Sequence, residues 1–116
     1  MGDYWRYLHS IVEEVVVPIV APILQAFVLV VASWYGPGFY GNHTACGQVL
    51  TAASYGVAHK TLPCGTQVTL LHNGNRVTAT VIDRGPYIFG RTFDLTGPVK
   101  NALGCSDICL VEWITQ

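Results

Sequence analysis

Charge is what this chain has least of. Asp, Glu, Lys and Arg make up only 11% of its 116 residues, against roughly 25% in an ordinary soluble domain. None of the four occurs between Glu14 and Lys60. A net charge of −1 removes the electrostatic case for a nucleic-acid partner, which would need a basic face. There is no CxxC pair of the kind a structural zinc site places at its ligand turns. No repeat, low-complexity stretch or Pro/Ser linker interrupts residues 27–116. The length suits one domain with a modest core.

The charge-free gap holds two different segments. Val15 to Val31 is a long apolar run, broken by Pro18, Pro22 and Gln25. A secretory signal would carry a basic start, yet Asp3, Glu13 and Glu14 face Arg6 alone, and no small-x-small cleavage site follows. The segment reads two ways. Residues 15–32 are just long enough to associate with a membrane or direct export. Alternatively, residues 15–24 form a short apolar arm, with a first strand over Phe27 to Tyr35. The division expected is therefore an N-terminal segment, 1–26, and a folded domain, 27–116.

Strand signals fill that domain. Gln67 to His72 and Arg76 to Asp83 flank Asn73-Gly74-Asn75, and Asn-Gly is a strong hairpin signal because both residues tolerate positive φ. Val77, Ala79 and Val81 alternate with Thr78 and Thr80, so one face is buried. Thr96 is placed to cap a helix over Pro98–Leu103, with Gly104 ending it. Ile108 to Thr115 is a final strand. Short strands with one late helix predict a mainly β, closed barrel, since closure removes exposed edges.

Cysteines at 46, 64, 105 and 109 allow three pairings. An even count in a small, loop-rich chain fits an oxidising compartment. Cys46–Cys64 and Cys105–Cys109 are the preferred pairs. The rivals are Cys109 as a buried small hydrophobe, and zinc held by His43 and Cys46 or by Cys105 and Cys109. No metal or other cofactor is expected.

Four groups carry candidate chemistry. Ser33 to Gly41 (SWYGPGFYG) sets four aromatics among glycines at a spacing that fits neither a helix face nor a clean strand. Exposed aromatic faces of this kind make platforms for sugar rings; the bland alternative buries Trp34 and Phe39 and leaves Tyr35 and Tyr40 at a rim. His59, in AHKTLPCG, is a general acid/base candidate or a turn-holding histidine. Asp83 precedes Arg84-Gly85-Pro86 and also fits a turn cap. Asp94 precedes the helix and also fits its dipole. If the two acids meet, repulsion raises one pKa, as an acid for glycosidic-bond cleavage requires.

Taken in order, ASWYGPGFYGNHTACGQ, GVAHKTLPCGTQV and VIDRGPYIFGRTFDLT resemble the RlpA-like (rare lipoprotein A) family of double-psi β-barrels over about residues 31–114. The resemblance implies a six-stranded barrel, related to expansin and barwin-like barrels, with a polysaccharide groove. It implies peptidoglycan strands stripped of peptides as ligand, and lytic transglycosylase cleavage of the MurNAc–GlcNAc bond to a 1,6-anhydro end. Asp83 matches the aspartate assigned to catalysis, His59 a functionally important histidine, and Asp94 a second acid position. Trp34, Tyr35, Tyr40, Gln48, Lys60, Arg84 and Tyr87 are the substrate-binding candidates. Gln48 departs from the glutamate common in active members; it can bind a sugar but cannot move a proton. No lipobox-like run precedes a cysteine, so lipidation is not expected.

The leading expectation is a monomeric, secreted, periplasmic or cell-wall enzyme. Its rivals are a non-catalytic, expansin-like binding module and a disulfide-stabilised secreted inhibitor or interaction protein.

Overall fold

Six strands, a single 3-10 turn and one α-helix form within residues 26–115, which are those the computed structural model describes. The strands are β1 (Val28–Trp34), β2 (Val57–Ala58), β3 (Gln67–His72), β4 (Asn75–Asp83), β5 (Phe93–Leu95) and β6 (Ile108–Thr115). The turn is Pro37–Phe39 and the helix, α1, is Gly97–Leu103. The strands close in the order β1-β5-β2-β4-β3-β6, with β6 returning to β1.

Turn chemistry and alternation explain most of this. Asn73 and Gly74 both take positive φ, 47° and 82°, and join β3 to β4 by the tight turn that such residues favour. Val77, Ala79 and Val81 point inward from β4, where they meet Val68, Leu70, Phe93, Leu95, Val99, Leu103 and Val111. Phe93, Leu70, Leu95 and Leu103 are the largest fully buried side chains. Truncating one of the size of Phe93 typically costs about 3–5 kcal/mol.

Two boundaries differ from the sequence expectations for physical reasons. Thr96 occupies the N-cap position of α1 but makes no side-chain cap bond. Its Oγ1 instead accepts from the Gly56 N–H at 3.1 Å, and the Thr96 N–H donates to the Gly56 carbonyl at 3.1 Å. A tertiary partner has displaced the local one. Gly56 fits here because a Cβ would stand 2.9 Å from the Thr80 carbonyl oxygen. Gly104 ends α1 in the left-handed conformation, φ 71°, as expected.

The second difference concerns the apolar run. Residues 28–32 of it are β-strand, so a single helix over 15–32 does not form. Among the described residues, no helix is long and apolar enough to cross a membrane. The calls on residues 1–25 lie outside the described residues.

All four cysteines are paired, Cys46 with Cys64 and Cys105 with Cys109. The preferred pairing is the one found, and the zinc and buried-thiol alternatives fall, since a disulfide sulfur is neither a thiolate ligand nor a free thiol.

Candidate functional site

Strand register builds the site. Ala58 pairs with Asp94 on one side and with Asp83 on the other, and Asp94 pairs with Ser33. In-register residues on neighbouring strands share a face, so Ser33, Asp94, Ala58 and Asp83 form one row across β1, β5, β2 and β4. Neighbouring strands lie about 4.8 Å apart, so two spacings separate the Asp83 and Asp94 backbones. Buried Ala58 is the in-register residue between them. Both acids line one hollow of about 450 Å³ with Trp34, Tyr35, Tyr87 and Arg91.

Each carboxylate is held differently. On Asp83, Oδ1 accepts from the Ala45 N–H at 2.8 Å and the Arg84 N–H at 2.8 Å, and Oδ2 accepts from the Tyr35 hydroxyl at 2.9 Å. A carboxylate offers about four lone-pair sites; three are occupied, which fixes its orientation and leaves one for a ligand. The Ala45 donor reaches Asp83 because its loop is tied to the barrel by the Cys46–Cys64 bridge and by the Cys46 N–H on the Ile82 carbonyl. Asp94 accepts at Oδ1 from the Ser33 hydroxyl at 2.6 Å. Burial pushes the Asp94 pKa above the ordinary carboxylate value; Ser33 and Arg91 work against that rise, and Asp83 adds the least to it. Desolvation therefore does the work that the sequence argument assigned to repulsion between the acids. Burial, followed by the Asp83 charge, drives the Tyr35 phenol far above its usual range, so Tyr35 remains a donor.

The aromatics divide. Trp34 packs against the core and also borders the hollow. Phe39, half-exposed, sets its edge against Tyr35 with ring centroids 5.9 Å apart. Tyr87 and Ile88 are exposed on the hollow's rim. Tyr40 lies beyond Trp34 in a neighbouring hollow with Lys100, whose ammonium sits 5.3 Å from the Trp34 ring centre. A third hollow adjoins the first through Tyr35, Phe39 and Asp83. Shared residues set these three hollows side by side as a candidate track.

Four candidates stand elsewhere or are spent. His59 follows Ala58, so alternation turns its ring to the opposite face of the sheet, where it meets Phe93 at 5.1 Å and Trp113 at 5.8 Å. Its Nδ1 accepts from the Thr61 and Leu62 N–H groups at 3.1 and 3.0 Å, which puts the ring proton on Nε2. Burial, then Arg84 and Lys60, lowers its pKa. His59 holds a turn through N–H groups. The Arg84 guanidinium is directed to the carbonyls of Leu62 (2.7 Å) and His59 (3.3 Å), and so braces the same loop. Gln48 accepts from the Thr44 hydroxyl at 2.9 Å and borders none of the three hollows; nor does Lys60, which is exposed.

Phe39 belongs to the aromatic group proposed as a sugar platform; Ser33, Arg91 and Lys100 join the site without a role assigned from the sequence. Arg91 stands three residues before Asp94 in GRTFDLT, which is a local signal. Ser33 is coupled to Asp94 only by the parallel β1–β5 pairing, which no local pattern reveals. A further hollow of about 520 Å³ at the other end of β1, around Leu29, Leu71, His72 and Glu112, has no paired acids, which makes the Tyr35 end the candidate site.

Known proteins share both the sequence and the fold. The chain is 46% identical over 76 residues to the "Probable endolytic peptidoglycan transglycosylase RlpA" of Synechocystis sp., covering 64% of this chain and 24% of that protein. It is 47% identical over 68 residues to the "Endolytic peptidoglycan transglycosylase RlpA" of Campylobacter jejuni, covering 57% of this chain and 25% of that protein. The chain thus spans about a quarter of the length of these relatives. A mutant expansin of Clavibacter michiganensis, crystallised in complex with cellohexaose, superposes with a TM-score of 0.62 at 19% identity, over 78% of this chain and 50% of its own; that likeness is one of fold. The barrel is an RlpA-like double-psi β-barrel. Residues 28–112 match the lytic transglycolase family, and the chain belongs to that family.

Proposed function

We propose that this domain cleaves peptide-stripped peptidoglycan strands between MurNAc and GlcNAc by transglycosylation, outside the cytoplasm at the cell wall. One observation carries the reading: two carboxylates of different character share a hollow rimmed by aromatics, with one small residue between their strands. Asp94, whose pKa is raised by burial, gives its proton to the glycosidic oxygen as the bond from C1 breaks. The C6 hydroxyl of the same MurNAc attacks C1, and its proton passes to the free lone pair of Asp83. The C1–O6 bond replaces the C1–O4 bond, no water is consumed, and the acids exchange the proton through solvent before the next turnover.

Gln48 takes no proton-carrying part in this arrangement, because it borders none of the three hollows. Tyr35, Phe39 and Tyr87 supply faces for the sugar rings. The paired disulfides suit an oxidising, extracytoplasmic setting.

A second reading, a non-catalytic glycan-binding module, draws on the likeness of fold to an expansin crystallised in complex with cellohexaose. Incubation with amidase-stripped glycan separates the two. Anhydro-ended fragments support the enzyme; glycan retained on the protein without new ends supports the binding module.

A further inference from the structure

We infer that Arg91 recognises the free lactyl carboxylate that a MurNAc residue exposes once its peptide has been removed. The inference rests on the glycan reading above and gives that site its selectivity. Three cations border the track, and their surroundings differ. Arg84 is committed to the Leu62 and His59 carbonyls. Lys100 is held against the Trp34 ring in the neighbouring hollow. Arg91 lines the acid hollow itself, and among the described residues its guanidinium has no hydrogen-bond or ion-pair partner. Its backbone is anchored, since its N–H donates to the Ile88 carbonyl at 3.3 Å.

The Asp83 carboxylate, the proton acceptor of the proposed reaction, repels an anionic sugar unless a cation lines the same hollow. Arg91 stands close enough to Asp94 to act on its charge, so it is placed to do this. A guanidinium fork matches a carboxylate with two parallel N–H bonds. In a strand still carrying its peptide, the lactyl carboxyl is a neutral amide and has lost one acceptor oxygen. The same cation that welcomes a stripped strand therefore offers an unstripped one no ion pair. Selectivity then comes from the substrate's charge rather than from pocket size alone.

The test uses the whole chain and three probes: amidase-stripped glycan, the same glycan with its carboxyls converted to methylamides, and N-acetylglucosamine oligomers. Wild type is expected to bind the carboxylate strand about tenfold more tightly than the methylamide strand, the yield of one charge-assisted contact. Arg91→Gln is expected to bind both alike, and Arg91→Lys to keep part of the preference. Equal binding of both strands by wild type overturns the inference even if no variant folds, and leaves the glycan reading standing. A full preference retained by folded Arg91→Gln also overturns it. Wild type binding none of the three probes overturns the glycan reading, and this inference with it.

Discussion

The Tyr35 hydroxyl donates to Oδ2 of Asp83 across 2.9 Å, joining the aromatic loop after β1 to the end of β4. Burial and the neighbouring carboxylates keep the phenol protonated, so the donor persists at any pH the fold tolerates. The bond aims the one carboxylate that two backbone N–H groups already hold.

Tyr35→Phe removes that bond and little else. A hydrogen bond to a charged group contributes about 1.5–3 kcal/mol, so turnover should fall roughly 10- to 100-fold. The folded variant should lose up to the same about 1.5–3 kcal/mol in stability, while its glycan retention stays near wild type. Turnover counted by new anhydro ends checks this; an unchanged rate detaches Tyr35 from the chemistry.

His59 gives the opposite expectation. Its Nδ1 is the acceptor for two N–H groups of the loop that Arg84 and Cys64 also hold. His59→Ala leaves both donors short, which should cost about 1–3 kcal/mol in urea unfolding. Cleavage per folded molecule should change by only a few-fold. The lowered pKa means this contribution is present above the ordinary histidine value and is lost as pH falls through the folded value. Wild type should therefore lose loop protection in hydrogen exchange under mild acid, and His59→Ala should show no such step. A folded His59→Ala variant without activity would contradict this reading.

Much of this was legible in the residues, and the exceptions have physical causes. The Asn73-Gly74 turn, the alternation in β4 and the glycine after α1 act through neighbours in sequence, so they could be read directly. Both acids were visible as charges in an apolar chain. The face on which His59 lies was not, because β2 has only two residues and shows no alternation. Ser33 carries no local signal of its role, because its partner Asp94 is sixty-one residues away. Thr96 looked like a cap until the barrel brought Gly56 to it.

Asp94 links pH to stability. Its folded pKa lies above the ordinary value of 3.8, so its stabilising contribution is full below that value and is lost as pH rises through the folded one. Asp94→Asn should flatten this slope. The melting temperature of the variant minus that of wild type should grow as pH rises from about 3 towards neutrality, the range over which carboxyls titrate. A constant difference across that range would place Asp94 in an unperturbed environment.

The central claim is that Asp94 and Asp83 divide the proton work of cleavage between them. Mass analysis of stripped glycan digested by wild type, Asp94→Asn and Asp83→Asn tests it most directly, with glycan binding and thermal unfolding recorded on the same samples. The expected result is anhydro-ended fragments, one water lighter than hydrolysis products, from wild type alone, with both variants folded and binding. Undiminished anhydro products from either folded variant, or intact glycan after digestion with folded wild type, would contradict it.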